Sequence, residues 1–577
     1  MSPLHEAARA GHTKKVQDLL TRGYGPDDED RNGHTALHCA CIAGDLPTIK
    51  VLVGAGASLT ARAQGRWCGG VTGLHFAAEH GHAGALRFLV RHGLDVHVRD
   101  AERYSALHYA AENNHLDAME ALLGAGADAD ATDRFKKTPL HYAAESGARD
   151  AIGCLVRARG SVNAADHRDK TPLMYAAESG DAEVMELLLR HGAGTEFKAK
   201  GDWCNGVNVL HLAAEQGHLM VCRLLVQRGV SIDVRDDGLY TPLHYAAEAG
   251  HQELVVFLVS VGASPAAADR RGMTALHYAA ESGSHKAVAF LLDHDAAVEA
   301  LDEAGKAPLH YVCRGHQAAP GARDAPAKPK RSKWRSSIAA QQYLEVAQTL
   351  VARGASVNKA DGEGKSPLHC AAETGAVEAA GYLLSLGAAV NGRDKRGLTA
   401  LHHAALAGDC DMAKLLIFTG ANVEAVAQWH WGGGVRPLHL AAEGGRADLV
   451  RCLCQYGAAV DAADELKYTA LHYAAERNEV AAVQALVAHR AALGAQCSEG
   501  KTALHYAAHN GAADAVRVLL VARADPNGLD ALGRSPLMYA VFPEEAEEGD
   551  ARDKDEKELQ QRTAKELLSS DADVALC

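Results

Sequence analysis

Apolar and polar positions along this chain fall into one pattern that keeps returning. The run Thr138-Pro139-Leu140-His141-Tyr142-Ala143-Ala144-Glu145-Ser146-Gly147 predicts a short helix. Thr138 suits an N-cap, Pro139 fits the first turn because its missing N–H would be unpaired there anyway, and Gly147 can close the helix in the left-handed conformation. Further on, Ile152, Leu155 and Val156 share one stripe, which predicts a second helix near Asp150 to Arg159 that stops at Gly160. Ser161-Val162-Asn163-Ala164-Ala165-Asp166 is extended and leads into a turn before the next Thr171-Pro172. The unit is two short antiparallel helices and a projecting hairpin.

The leucine of this phrase recurs sixteen times, from Leu4 to Leu537; eleven of the fifteen intervals are 33 residues, three are 37 and one is 59. A His follows it in fourteen copies, and Met174 and Met538 stand there in the other two. A fixed period of this length means one supersecondary unit stacked on itself, so 577 residues do not imply several globular domains. Thr241-Pro242-Leu243-His244-Tyr245-Ala246-Ala247 closely resembles the ankyrin repeat, whose period is about 33 and whose signature is T-P-L-H-x-A. The resemblance covers residues 2 to about 574. It implies an all-α fold with short β-hairpins, an ankyrin-repeat α-solenoid in a curved superhelical stack. It also implies that the recurring His hydrogen-bonds backbone between neighbouring units, rather than binding metal or working in catalysis.

Composition changes this picture little. The chain is 47% hydrophobic and 23% charged with a net charge of −14, and mild acidity of this kind argues against nucleic acid, whose phosphates need clustered Lys and Arg. No stretch approaches the roughly 20 apolar residues of a membrane span, and MSPLHEAARAGH lacks the basic and apolar regions of a secretory signal. The cysteines number 13, with no C-x-x-C pair, and Cys154, Cys222, Cys370 and Cys452 fall in apolar helical context. Buried free thiols of a reducing compartment are expected, hence a cytoplasmic protein.

The three 37-residue intervals each lengthen a hairpin by four residues, in RWCGGV (66–71), DWCNGV (202–207) and HWGGGV (430–435). Trp67, Trp203 and Trp431 each precede the repeat leucine by seven residues, and a Tyr follows each Trp by 37: Tyr104, Tyr240 and Tyr468. This cassette begins at the third, seventh and thirteenth repeats. Either the long Trp finger is braced by the neighbouring Tyr finger, or the aromatics, with Trp429 beside Trp431, are anchors for a partner protein.

A glutamate ladder follows the Ala-Ala pairs, at Glu79, Glu112, Glu145, Glu178, Glu215, Glu248, Glu281, Glu373, Glu443 and Glu476. Glu near a helix C-terminus opposes the macrodipole, so helix stability does not account for it. The family resemblance implies that this position opens toward the concave groove, where an acidic stripe favours a basic or extended partner. Glu at this place is also a habit of ankyrin repeats generally.

Two insertions interrupt the array. The expected division is repeats at 1–314, a disordered basic insertion at 315–337 within the tenth repeat, repeats again at 338–543, an acidic insertion at 544–558, and the second helix of the last repeat at 559–577. Pro320, Pro326 and Pro329 oppose regular structure in the first insertion, and its core KPKRSKWRSS reads as a nuclear-import patch, a kinase site around Ser332, Ser336 and Ser337, or a plain solvated loop. Asn163, Asn358 and Asn391 lie in Val-Asn hairpin positions that resemble the asparagines hydroxylated in ankyrin proteins. The first repeat opens at Ser2-Pro3-Leu4-His5 without a preceding hairpin, which leaves open that a portion is missing.

No phosphate loop, G-x-S-x-G, H-E-x-x-H or kinase motif set is present, so neither an enzyme nor a cofactor or metal is expected. The sequence points to a monomeric protein–protein interaction scaffold or adaptor. The alternatives are a mechanical spacer without a groove ligand, or the regulatory portion of a larger protein.

Overall fold

The computed structural model describes residues 2–63, 69–200, 205–312, 338–429, 432–541 and 554–570. Among them are 32 helices and two small antiparallel strand pairs, the content of an ankyrin-repeat solenoid. Two compact units make up the chain, Met1–Arg270 and Arg271–Cys577. The first holds eight helix pairs, from Pro3–Arg9 with Thr13–Thr21 to Pro242–Ala249 with Gln252–Ser260. The second holds eight more, from Ala275–Glu281 with His285–Asp293 to Pro536–Val541 with Lys554–Leu568.

Local chemistry sets each helix as the spacing predicts. Thr138 is extended, with φ −94° and ψ 166°, ahead of the helix Pro139–Ser146, and Gly147 closes it at φ 77°. The second helix runs Arg149–Arg157, and Arg159 rather than Gly160 takes the left-handed turn, with φ 63°. Leu140, Ala143, Ala144, Ile152 and Leu155 are buried, each Leu or Ile contributing on the order of 1.5–3 kcal/mol. Alanine pairs with no side chain beyond Cβ let each first helix pack on the next, as Ala106–Glu112 does on Pro139–Ser146.

Three polar devices tie the repeats together. In the first, His141 Nδ1 accepts the backbone N–H of Thr138 at 2.9 Å, so its proton sits on Nε2, which donates to the carbonyl of Lys170 in the next repeat at 3.1 Å. His108 and His472 make the same link over the same 29 residues. Burial pushes the imidazoles of His75, His108 and His472 down to about 4, so they are neutral. Met174 and Met538 break the device, and the hydroxyls of Thr171 and Ser535 that would face the ring are buried without a partner.

The second device is an Asp–Tyr lock over nine residues. Asp133 Oδ1 accepts the N–H groups of Phe135 and Lys137 across the hairpin turn, both at 2.8 Å, and Oδ2 accepts the hydroxyl of Tyr142 at 2.7 Å. Asp100–Tyr109, Asp166–Tyr175, Asp236–Tyr245, Asp464–Tyr473 and Asp530–Tyr539 repeat it at 2.6–2.8 Å. Each ring also meets the His of the preceding repeat edge-on or tilted, as Tyr142 meets His108 at 5.7 Å.

The third is a backbone rung from each hairpin to the next. The N–H of Arg134 donates to the carbonyl of Glu102 at 3.1 Å, and the same 32-residue step joins His167 to Phe135 and Lys395 to Glu363.

Candidate functional site

The lengthened hairpins and the ladder glutamates are the parts of the array that depart from pure packing. Trp67, Trp203 and Trp431 lie outside the described residues, as do Ser332, Ser336 and Ser337 and the whole 315–337 segment. The finger bases are described. β1 (Ala199–Lys200) pairs antiparallel with β2 (Asn205–Val207), and β3 (Ala427–Trp429) with β4 (Gly432–Val435). An Ala faces a Val at all three bases: Ala63–Val71, Ala199–Val207 and Ala427–Val435. The long fingers keep the backbone rung, from Ala101 to Gly69, Asp237 to Asn205 and Glu465 to Gly433.

Two of the tyrosines after the fingers, Tyr104 and Tyr468, point forward along the array. Tyr104 hydroxyl lies 2.7 Å from that of Tyr142, itself locked to Asp133. Tyr468 lies 2.5 Å from Tyr506, whose hydroxyl meets Cys497 Sγ at 3.4 Å, the thiol standing where other repeats have Asp. Tyr240 packs its ring beside His244 and Tyr245, at 5.9 and 5.8 Å. All three are half-buried.

Ladder glutamates end the first helices. Glu145, Glu281 and Glu373 are exposed, and Glu79, Glu112, Glu178, Glu215, Glu248, Glu443 and Glu476 are half-buried. A Lys eight residues earlier meets three of them: Lys137 with Glu145 at 2.9 Å, Lys170 with Glu178 at 2.5 Å and Lys365 with Glu373 at 3.5 Å. Lys137 Nζ also stands 4.2 Å from the centre of the Tyr175 ring. Glu443 is held from two sides, by the indole N–H of Trp429 at 3.2 Å and by Arg477 at 3.2 Å. Burial, against the pull of Arg477 and with the neighbouring Glu443, raises the Glu476 carboxyl above its ordinary range.

The hairpin asparagines use both halves of their amides. Asn163 donates to Gly192 at 3.3 Å and accepts from Gly194 at 2.9 Å; Asn358 joins Gly387 and Ala389, and Asn391 joins Gly420 and Asn422, in the same way. Among the described residues no group of three or more His, Cys, Asp or Glu is arranged to hold a metal ion. No described helix is long and apolar enough to cross a membrane.

The Asp–Tyr locks escaped the sequence reading, although their signal, an Asp nine residues before the Tyr of the helix phrase, was visible. At the finger bases Ala63 donates its N–H to the Val71 carbonyl at 2.8 Å, as Asp100 does to Tyr104 at 3.1 Å, so Ala63, and by the same register Ala199 and Ala427, takes the Asp place, with Phe76, Leu212 and Leu440 at the Tyr place. The finger repeats therefore replace both halves of the polar lock by apolar residues.

Models of ankyrin repeats match residues 1–63, 64–133, 107–200, 193–269, 261–319, 336–427 and 428–497 in three-copy form, and 486–540 in many-copy form. The chain is similar to ankyrin repeat and SOCS box protein 11 of Danio rerio, 40% identical over 101 residues, or 18% of this chain and 33% of that protein. It is similar to NF-kappa-B inhibitor alpha of Sus scrofa, 34% identical over 101 residues, or 17% and 32%. It is also similar to the E3 ubiquitin-protein ligase XBAT33 of Arabidopsis thaliana, 36% identical over 89 residues, or 15% and 17%. The matched stretches span a third or less of each of these relatives.

Proposed function

This chain belongs to the ankyrin-repeat family, and from that premise we propose that it is a non-catalytic scaffold or adaptor that binds other proteins along its first-helix ends and hairpins. The observation that carries this is a division of labour among its recurring polar residues. His, Asp and Tyr are buried in locks with their hydrogen-bonding atoms engaged, while Glu145, Glu281 and Glu373 remain exposed at helix ends. A partner segment carrying Lys or Arg in extended form fits such exposed carboxylates, since opposite charge steers and registers a cationic chain. Lys137, Lys170 and Lys365 offset the charge locally, so the acidic surface is patchy rather than continuous.

The test is affinity capture with the full chain and an E145K/E281K/E373K triple variant, each at low and high salt. Charge recognition predicts partners that elute with salt and are lost by the variant at unchanged thermal stability. A spacer without a ligand predicts the same empty profile for both proteins. The Trp fingers and Asn163, Asn358 and Asn391 stay candidates within the same reading, the former as anchors or braces, the latter as hydroxylation sites. Capture by a W67A/W203A/W431A variant and mass spectrometry of the hairpin peptides address them. A cytoplasmic location, nuclear import through the 315–337 segment and a monomeric state belong to this proposal as well. So does the alternative of a recognition portion in a larger protein, which draws on a relative named as a ubiquitin ligase.

A further inference from the structure

Two of the recurring polar features are missing where the tenth and eleventh repeats meet, among the described residues. The N-cap of the helix Pro308–Val312 is Ala307, where the other repeats carry Thr, Ser or Asn, save Arg436 in the thirteenth; His310 Nδ1 still accepts its N–H at 3.1 Å, but no cap oxygen is present. In the eleventh repeat the lock position nine residues after Asp361 is Cys370, buried, with neither ring nor hydroxyl to offer. Asp361 is 7% exposed, and its Oδ2, which a Tyr would satisfy, is buried with no partner. His310 consequently lacks the facing ring that His277 finds in Tyr311 at 5.5 Å and His369 finds in His403 at 5.6 Å.

Other repeats that lose the Tyr lose the cost with it or make it good. At the second repeat Cys39 also stands opposite an Asp, but His34 reaches the Asp30 carboxylate at 3.4 Å. At the twelfth, His403 donates to Asp394 at 3.2 Å. The finger repeats have Ala63, Ala199 and Ala427 at the Asp place, so no carboxylate is stranded there. Among the described residues Asp361 is the one lock aspartate with an unpartnered buried oxygen. The interface keeps the His310 link to the Lys365 carbonyl at 3.2 Å and to the Lys359 carbonyl at 3.1 Å, the rung from Gly362 to Ala304 at 2.7 Å, and the Ser356 N–H donated to Glu299 at 2.6 Å.

We propose that the Ala307–Cys370 junction is a weak joint built into the second unit, where the helices Pro308–Val312 and Pro367–Thr374 part by local opening before their neighbours do. In a solenoid each repeat touches only the adjacent ones, so a deficit at one interface localises opening there instead of being shared through a common core. Partners that grip both sides of the joint close it, and partners that need its edge exposed hold it open; either way the joint converts binding into a change of the array's continuity.

Hydrogen exchange followed by mass spectrometry on the full chain tests this. Amides of 308–312 and 367–374 should exchange at least about tenfold faster than those of 400–407 and 470–476. C370Y, which restores the missing ring and hydroxyl, and A307T, which restores the cap, should each slow them toward the neighbours. Equal protection in the wild-type chain overturns the proposal, and so does exchange at 308–312 and 367–374 that neither variant changes. Should C370Y fail to fold by far-ultraviolet circular dichroism, A307T alone decides.

Discussion

The hydroxyl of Tyr104 lies 2.7 Å from that of Tyr142, which in turn reaches the carboxylate of Asp133 at 2.7 Å. The chain of bonds has a direction. Asp133 accepts, so Tyr142 spends its one proton there and takes a second bond from Tyr104. Burial, with those bonds, raises the Tyr142 hydroxyl well above the ordinary tyrosine range, which keeps the proton in place. Removing the two hydroxyls should therefore have unequal costs. Y142F strands a buried carboxylate oxygen and is expected to cost about 1–3 kcal/mol, whereas Y104F loses one bond from a half-buried donor and is expected to cost about 0.5–1.5 kcal/mol. Urea unfolding of the two variants side by side measures the order, and a larger loss in Y104F would contradict it.

The neutral histidines make the array acid-labile. His38, His75, His108, His211, His402 and His472 are pushed by burial to about 4, below the ordinary 6.5 that they regain on unfolding. The unfolded chain thus binds more protons between those values, and stability falls as pH drops from 6.5 toward 4. Above 6.5 these groups contribute their full stabilisation, up to roughly 3 kcal/mol apiece. Thermal melts across pH 4–8 should show a flat upper limb and a steep acid limb; a melting point that does not change between pH 7 and pH 5 would rule this out.

Met174 and Met538 leave Thr171 and Ser535 with buried, unpartnered hydroxyls. M174H supplies the acceptor that the other caps enjoy, and a gain of about 1 kcal/mol is expected if the ring adopts the tautomer of His141. The check is denaturant unfolding of M174H beside wild type, with a loss of stability as the refuting result.

Trp429, Glu443 and Arg477 form a brace at the base of the third finger. E443Q keeps an acceptor for the indole but drops the charge that Arg477 meets on the surface, so it should cost no more than about 1 kcal/mol. E443A removes both partners at once and should also speed proteolysis of the finger at 427–435. Equal cleavage rates in wild type and E443A would show that the brace does not hold the finger.

Much of this was legible in sequence because it is local. Thr138, Pro139 and Gly147 specify one helix from its ends, and the 33-residue step copies it. The forward reach of Tyr104 was not legible. The constant offset from Trp67 to Tyr104 gives register, not the direction of a side chain, and Trp67 lies outside the described residues. The hydroxyl of Tyr104 meets Tyr142, 38 residues on. The Glu ladder illustrates the same boundary. Its positions are plain in the sequence, yet whether Glu145 keeps its charge to itself depends on Lys137, eight residues upstream on another element.

The hairpin rungs have a further consequence. They are made by backbone alone, and the residues that donate them are chemically unrelated: Arg134, His167, Asp237, Lys395, Glu465 and Ala531. Structure at the tips is thereby uncoupled from side-chain identity. A mutation that swaps one tip residue for another leaves the rung intact and alters only what the surface presents. The row of tips is a strip on which specificity can be rewritten one repeat at a time, with the scaffold beneath it indifferent to the text.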